Sequence, residues 1–189
     1  MTGTAQHPTM AQLEAGLDDV RSSPKDEGTL QLIVRRPERL ERELVDEASL
    51  DVEVGLVGDN WLTRGSTVTP DGLANPEMQV TLMNSRVADL VAGDRERWHI
   101  AGDQLYVDMD MSRTNLPPGT RLAIGTAVLE VSAAPHTGCA KFSERFGKDA
   151  LRLVSTAVGQ ELCLRGINTK VVQSGDVRVG DAVRKLGTA

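Results

Sequence analysis

Residues 115–135, "NLPPGTRLAIGTAVLEVSAAP", decide the architecture of this chain. Pro117-Pro118-Gly119 continues neither a helix nor a strand ladder and forces a turn. "RLAIG" and "AVLEVSAAP" then read as two short strands joined around Gly125 and closed by Pro135. Just upstream, "DQLYVDMDM" alternates: Leu105, Val107, Met109 and Met111 face one way and Gln104, Tyr106, Asp108 and Asp110 the other, the pattern of a half-buried strand. Downstream, "ERFGKDALRLVSTAVGQEL" carries helical spacing, with breaks expected at Gly147 and Gly159. "GINTKVVQ" and "VRVGDAVRKL" return to short strands around a Ser-Gly-Asp turn.

Further out, "TLQLIVRRP" from Thr29 is an apolar run closed by a proline, a strand signal. "RPERLERELVDEASL" is charged and reads as a loop with one helical turn, and "EVGLVGDNWL" as a turn-rich connection broken by Gly55 and Gly58. Met78 to Met83 reads as a strand, followed from Ser85 by a helix with Val87, Leu90 and Val91 on one side, Asn84 as its cap and Gly93 as its stop. "MAQLEAGLDDVRSS" places Met10, Leu13, Leu17 and Val20 at helical spacing, and "SSPKDEG" reads as a linker. The expectation is an N-terminal arm, residues 1–28, followed by one domain, residues 29–189. Many short strands with Gly and Pro turns and a few short helices predict a mainly β domain, a closed barrel or curled sheet.

The chain has 189 residues, only 3% aromatic, so aliphatic side chains must fill the core. A net charge of −6 argues against non-specific nucleic-acid binding, which rests on Lys and Arg against phosphates. No apolar run reaches membrane-spanning length, no secretion signal opens the sequence, and two cysteines make no disulfide framework, so a cytoplasmic protein away from the membrane is expected. Neither the dinucleotide-binding nor the phosphate-loop glycine pattern is present. His7, His99 and His136 lie far apart, no Cys-x-x-Cys occurs, and two cysteines hold no four-thiolate cluster. Electron chemistry would therefore draw on another protein.

The chemistry-bearing stretch is "PHTGCAKFSERFG", residues 135–147. Cys139 stands between a strand ending and a helix start, with His136, Lys141 and Arg145 close in sequence, and nearby positive charge favours the reactive thiolate. The competing reading is a small buried hydrophobe. Cys163, between Leu162 and Leu164, reads as core. His136 is a candidate proton donor or a turn residue. Lys141 and Arg145 could grip an anion or be solvated charge. Arg86 is a candidate anion contact at a helix start.

The run "GDQLYVDMDMSRTNLPPGTRLAIGTAVLEVSAAPHTGCAKFSERFG" resembles the second half of a MOSC domain, the family named after the C-terminal domain of molybdenum cofactor sulfurases. Gly102-Asp103-Gln104-Leu105 stands where the family has a Gly-Glu-Asn-Leu type segment. Gly119, Leu122, Ile124 and Gly125 match the next motif, and Val131, Pro135 and Cys139 the third. Gly175, Gly180 and Asp181 resemble turn residues of the family's last strands, and the likeness runs from about residue 29 to 186. It implies a β-barrel with short helices, of the pyruvate-kinase-barrel type. It implies a cysteine that carries sulfur as a persulfide or ligates molybdenum, making Cys139 the catalytic thiol and metal ligand with His136 beside it. Arg86, Asp103, Gln104, Lys141 and Arg145 become the cofactor-contacting candidates. The cofactor implied is the molybdenum cofactor, with no pyridoxal phosphate in this chain, and the partner is an external sulfur donor or an electron-transfer protein. Some members reduce N-hydroxylated compounds. Two other readings stand beside these: a non-catalytic barrel binding an anionic small molecule, and a redox-sensing thiol. One departure is that residues 59–79, where many small members carry a His-Gly-Gly type stretch, contain no histidine.

Overall fold

The computed structural model describes residues 7–188. Strands are β1 (Glu27–Arg35), β2 (Glu43–Val45), β3 (Glu47–Asp51), β4 (Gly55–Leu56), β5 (Val80–Asn84), β6 (Leu105–Asp108), β7 (Thr120–Ile124), β8 (Ala127–Val131), β9 (Ile167–Gln173), β10 (Gly175–Arg178) and β11 (Ala182–Thr188). Helices are α1 (Met10–Ala15), α2 (Leu17–Arg21), α3 (Trp61–Arg64), α4 (Ser85–Ala92), α5 (Ala140–Phe146), α6 (Lys148–Ser155) and α7 (Ala157–Glu161), with 3-10 turns at Pro76–Met78 and Arg95–Ala101. The order β11-β7-β8-β9-β5-β6-β1 closes on itself through β1–β11, a seven-stranded barrel in which only β5 and β6 run parallel. β2 extends one end of β1, and β10, β3 and β4 form a separate small sheet. The expected β-barrel with short helices is what forms.

Two cores flank the barrel wall. Leu82, Leu105, Val107, Leu122, Ile124, Leu129, Val131, Val171 and Val183 fill the inside. Alternate residues of β1, β5 and β6 (Val34, Met83 and Tyr106) point outward into a second core with the helices, where they meet Val87, Phe142, Phe146 and Leu153. β6 is therefore buried on both faces. Tyr106, expected on the wet face, is wholly buried and donates its hydroxyl to the Trp98 carbonyl at 2.8 Å. Closure also needs a bend. In β1 the pairing with β6 skips Gln31, and this bulge turns both Leu30 and Ile33 into the interior although they are an odd number of residues apart.

Two local expectations change. "RPERLERELVDEASL" supplies β2 and β3 rather than a helical turn, because pairing with β1 and β10 satisfies its backbone. The second break in the helical stretch falls at Thr156, whose side chain accepts from Gly159 N at 3.0 Å; Gly159 lies inside α7, where a Cβ would meet the Leu153 carbonyl. Trp98 is buried in the 3-10 turn at Arg95–Ala101.

The arm is folded onto the helical layer. Leu13, Leu17 and Val20 are buried there, and the Met10 amide donates to Asp149 on α6 at 3.0 Å. Removing the Leu13 side chain opens a cavity in a filled core, so Leu13→Ala lowers unfolding free energy by about 2–5 kcal/mol, read by urea denaturation.

Candidate functional site

The site is built at one end of the barrel by loops that converge on a buried carboxylate. The 3-10 turn at Arg95–Ala101 ends at Gly102, whose φ of +98° aims Asp103 and Gln104 inward before β6 begins. Asp103 is fully buried. Its Oδ2 accepts from Arg165 Nη1 at 2.7 Å, and its Oδ1 lies 3.4 Å from His136 Nδ1. Arg165 comes from the segment before β9 and His136 from the loop after β8, so one carboxylate ties two loops to the end of β6. Gly166, at φ +101°, allows this approach, since a Cβ there would strike the Leu82 carbonyl and crowd His136. The Arg165 guanidinium lies 5.0 Å from the centre of the Phe142 ring on α5.

Three successive carbonyls are each held by a different arginine. Ile100 O accepts from Arg145 Nη1 at 2.6 Å, Ala101 O from Arg165 Nη2 at 3.1 Å and Gly102 O from Arg36 Nη1 at 3.0 Å. Arg36 is itself clamped by both oxygens of the buried Asp59, at 2.8 Å each. Two further arginines crowd this group. Partial burial, then the charges of Arg36 and Arg145, push Arg42 below the ordinary arginine pKa; partial burial, then Arg36, does the same to Arg64. Neither Arg42 nor Arg64 has a carboxylate within ion-pair distance among the described residues. A chain of net charge −6 thus gathers five arginines against two carboxylates.

Two cavities open on this group and share His136, Arg165 and Asn168. The smaller, about 210 Å³, is walled further by Arg36, Arg64 and Trp61. The larger, about 430 Å³, runs along residues 131–138 towards α7. No Asp or Glu lines either. Buried polar atoms without a protein partner include Asp103 Oδ1, His136 Nδ1, Arg165 Nε and Asn168 Oδ1, all in this group. His136 is held neutral: burial, then the charge of Arg165, lowers its pKa from 6.5 to about 3, against the opposing pull of Asp103.

The expected site residues divide. Asp103, His136 and Arg145 belong to the group. Gln104 is buried beside it but fully used, with Oε1 accepting from Thr81 N and Oγ1 and Nε2 donating to the Gln79 carbonyl, so it stitches strand ends rather than facing a cavity. Arg86 is elsewhere: its Nε pairs with Asp108 at 2.7 Å and its Nη1 reaches Ser22 and Asp19, fastening the arm instead of binding an anion. Arg145 is drawn to Ile100 and away from the thiol. Lys141 is exposed on α5. Cys139 is the exposed N-cap residue of α5, its carbonyl accepting from Phe142 and Ser143 amides, and it lines neither cavity, although its neighbour Gly138 does. Cys163, expected in the core, is half-buried and lines the larger cavity. Arg36, Arg42, Arg64, Arg165, Asp59 and Asn168 escaped the sequence reading, because isolated arginines resemble solvated surface until the fold gathers them.

A model of the MOSC domain matches residues 73–184, more than half of the sequence. The chain belongs to the MOSC domain family. Among solved structures it is similar to the YuaD protein of Bacillus subtilis, at 16% identity and a TM-score of 0.60 over 83% of this chain and 94% of that one. YiiM of Escherichia coli follows at 18% and 0.55, over 85% and 71%, and YiiM of Geobacillus stearothermophilus at 13% and 0.57, over 85% and 75%. At these identities the likeness is one of fold. No curated protein sequence matches the chain. Among the described residues no helix of this MOSC protein is long and apolar enough to cross a membrane.

The neutral His136 makes stability pH-dependent. Its folded pKa lies below its unfolded one, so between pH 6.5 and about 3 the unfolded chain binds the extra proton. The contribution is whole above pH 6.5 and is lost progressively as pH falls towards 3; in His136→Gln, urea midpoints decline less over that window. Asp103→Asn strands the Arg165 charge in the interior and costs about 3–5 kcal/mol, read by the same denaturation.

Proposed function

We propose that this chain is a molybdenum-cofactor-binding oxidoreductase of the MOSC family, with the arginine group as the seat of the cofactor's anionic part and Cys139 as the thiol that reaches the metal. The observation that carries this reading is the excess of guanidinium at the barrel end: like charges crowded together repel, and an anion bound among them relieves that repulsion. The residues fit such a group. Arg42, Arg64 and Arg145 are the cations left to pair with it, since Arg36 and Arg165 already hold Asp59 and Asp103. When bound, the cofactor supplies two-electron chemistry that no side chain here possesses. His136, being neutral, offers a ring nitrogen as hydrogen-bond acceptor or donor, and Asp103 orients it. Electrons come from a separate protein.

One observation favours a second reading. Cys139 is exposed and outside both cavities, a position suited to meeting a partner's sulfur donor directly. On this reading the Cys139 thiolate takes the outer, sulfane sulfur of the donor's persulfide, the donor leaving as its thiolate, and the protein carries that sulfur as a persulfide on Cys139.

Purification under anaerobic, reducing conditions from cells making molybdenum cofactor separates the two. Stoichiometric molybdenum that is lost in Cys139→Ala and reduced about tenfold or more in Arg64→Ala or Arg42→Ala supports the first reading. An added mass of ~32 Da on Cys139 without metal supports the second. Absence of both leaves the redox-sensing thiol and the non-catalytic barrel.

A further inference from the structure

The second cysteine packs against the barrel core, as its sequence neighbourhood predicts, but is only half-buried and also lines a cavity. Cys163 follows α7 with φ +48°, one of two non-glycine residues at positive φ among the described residues. Left-handed backbone is strained for a side chain of this kind. Here it stands at the end of α7, where Cys163 packs against the barrel core and lines the larger cavity. The Sγ donates to the Gln160 carbonyl at 3.7 Å and lies beside Arg113. Burial raises the thiol pKa, so Cys163 stays protonated at neutral pH.

The far wall of the same cavity supplies the independent observation. Asn168 is 1% exposed and the Arg165 side chain 8%, yet Asn168 Oδ1 and Arg165 Nε have no partner. Asn168 Nδ2 is spent on the Ala134 carbonyl, which fixes the amide so that its oxygen is the free atom. The wall therefore leaves one N–H donor and one carbonyl acceptor unanswered, and such groups cost free energy when buried alone. Between wall and thiol the lining is largely apolar, with Leu116, Pro118, Val131, Val154 and Ile167. Arg165 is matched by Asp103, and Arg113 is the other arginine of the lining.

We propose that this cavity is a binding site for a small neutral molecule bearing an amide-type edge, its carbonyl taking Arg165 Nε–H and its N–H donating to Asn168 Oδ1, with Cys163 forming the opposite wall. A volume of about 430 Å³ lies in the range of small-molecule sites. The cavity shares His136, Arg165 and Asn168 with the smaller one beside the cation seat but includes neither Arg64 nor Cys139, and its test reads protection of Cys163, a quantity distinct from the metal and persulfide measurements.

The full-length protein is alkylated with iodoacetamide, an amide whose carbon forms the S–C bond as iodide leaves, and the two cysteines are followed separately by peptide mass spectrometry. The expected result is a Cys163 rate that saturates with iodoacetamide and falls at least tenfold with excess benzamide but not with the isosteric anion benzoate, while Cys139 reacts linearly and unprotected. Asn168→Ala removes the protection at Cys163. A linear Cys163 rate, equal protection by benzoate, or none by benzamide overturns the proposal; the competition on the unaltered protein decides it even if Asn168→Ala does not fold.

Discussion

A carboxylate with no access to water holds the working end of this barrel together. Taking Asp103 out of solvent is costly, and the cost is offset only because Arg165 meets it at 2.7 Å and His136 approaches from the other side. The ion pair fixes the segment before β9 relative to β6, and the neutral His136 of the loop after β8 lies beside the same carboxylate. Everything assigned to the site (both cavities, the neutral imidazole and the unpaired polar atoms) lies on surfaces that this contact positions. The closed barrel makes it possible, because its two buried faces leave the strand ends rigid enough to hold the geometry.

Positive charge is organised by the same end of the chain. Arg36, Arg145 and Arg165 each spend a guanidinium N–H on consecutive carbonyls at Ile100, Ala101 and Gly102, the exposed acceptor end of a 3-10 turn. That arrangement concentrates cations in one place without enough carboxylates to neutralise them. The protein as a whole is acidic, so the field at this end opposes the net charge and is locally built. The cations gather around Gly102, and Cys139 caps α5 at the surface.

Much of the fold could be read from residue order. Turn chemistry at Pro117-Pro118-Gly119, alternation in β6 to β8 and helical spacing in α4 to α6 were each local signals, and local signals survive folding. Legibility failed where a partner far away in sequence decided the outcome. Tyr106 has the position of a solvent-facing residue and is buried because a helical layer covers that face. "RPERLERELVDEASL" lacks strand character of its own and becomes strand by pairing. Asp103 was found through motif position and His136 through its place beside Cys139, whereas Arg36, Arg64, Arg165 and Asn168 carried no signal, since an arginine's role depends on which carbonyl or carboxylate it meets. Arg86 shows the converse: a helix-start arginine reads as an anion contact until Asp108 and Asp19 are seen to claim it.

The sequence by itself determined a β-barrel with short helices, its family, and the presence of a cysteine between β8 and α5. Those properties follow from periodicity, turn residues and motif order, all short-range along the chain. Only the tertiary structure decided which charges face one another, that one cysteine stands in the open while the other lines a cavity, and where polar atoms remain unanswered. Coulomb interactions and burial depend on distance in space, and folding brings residue 36 to residue 102 and residue 103 to residue 165 regardless of what separates them along the backbone.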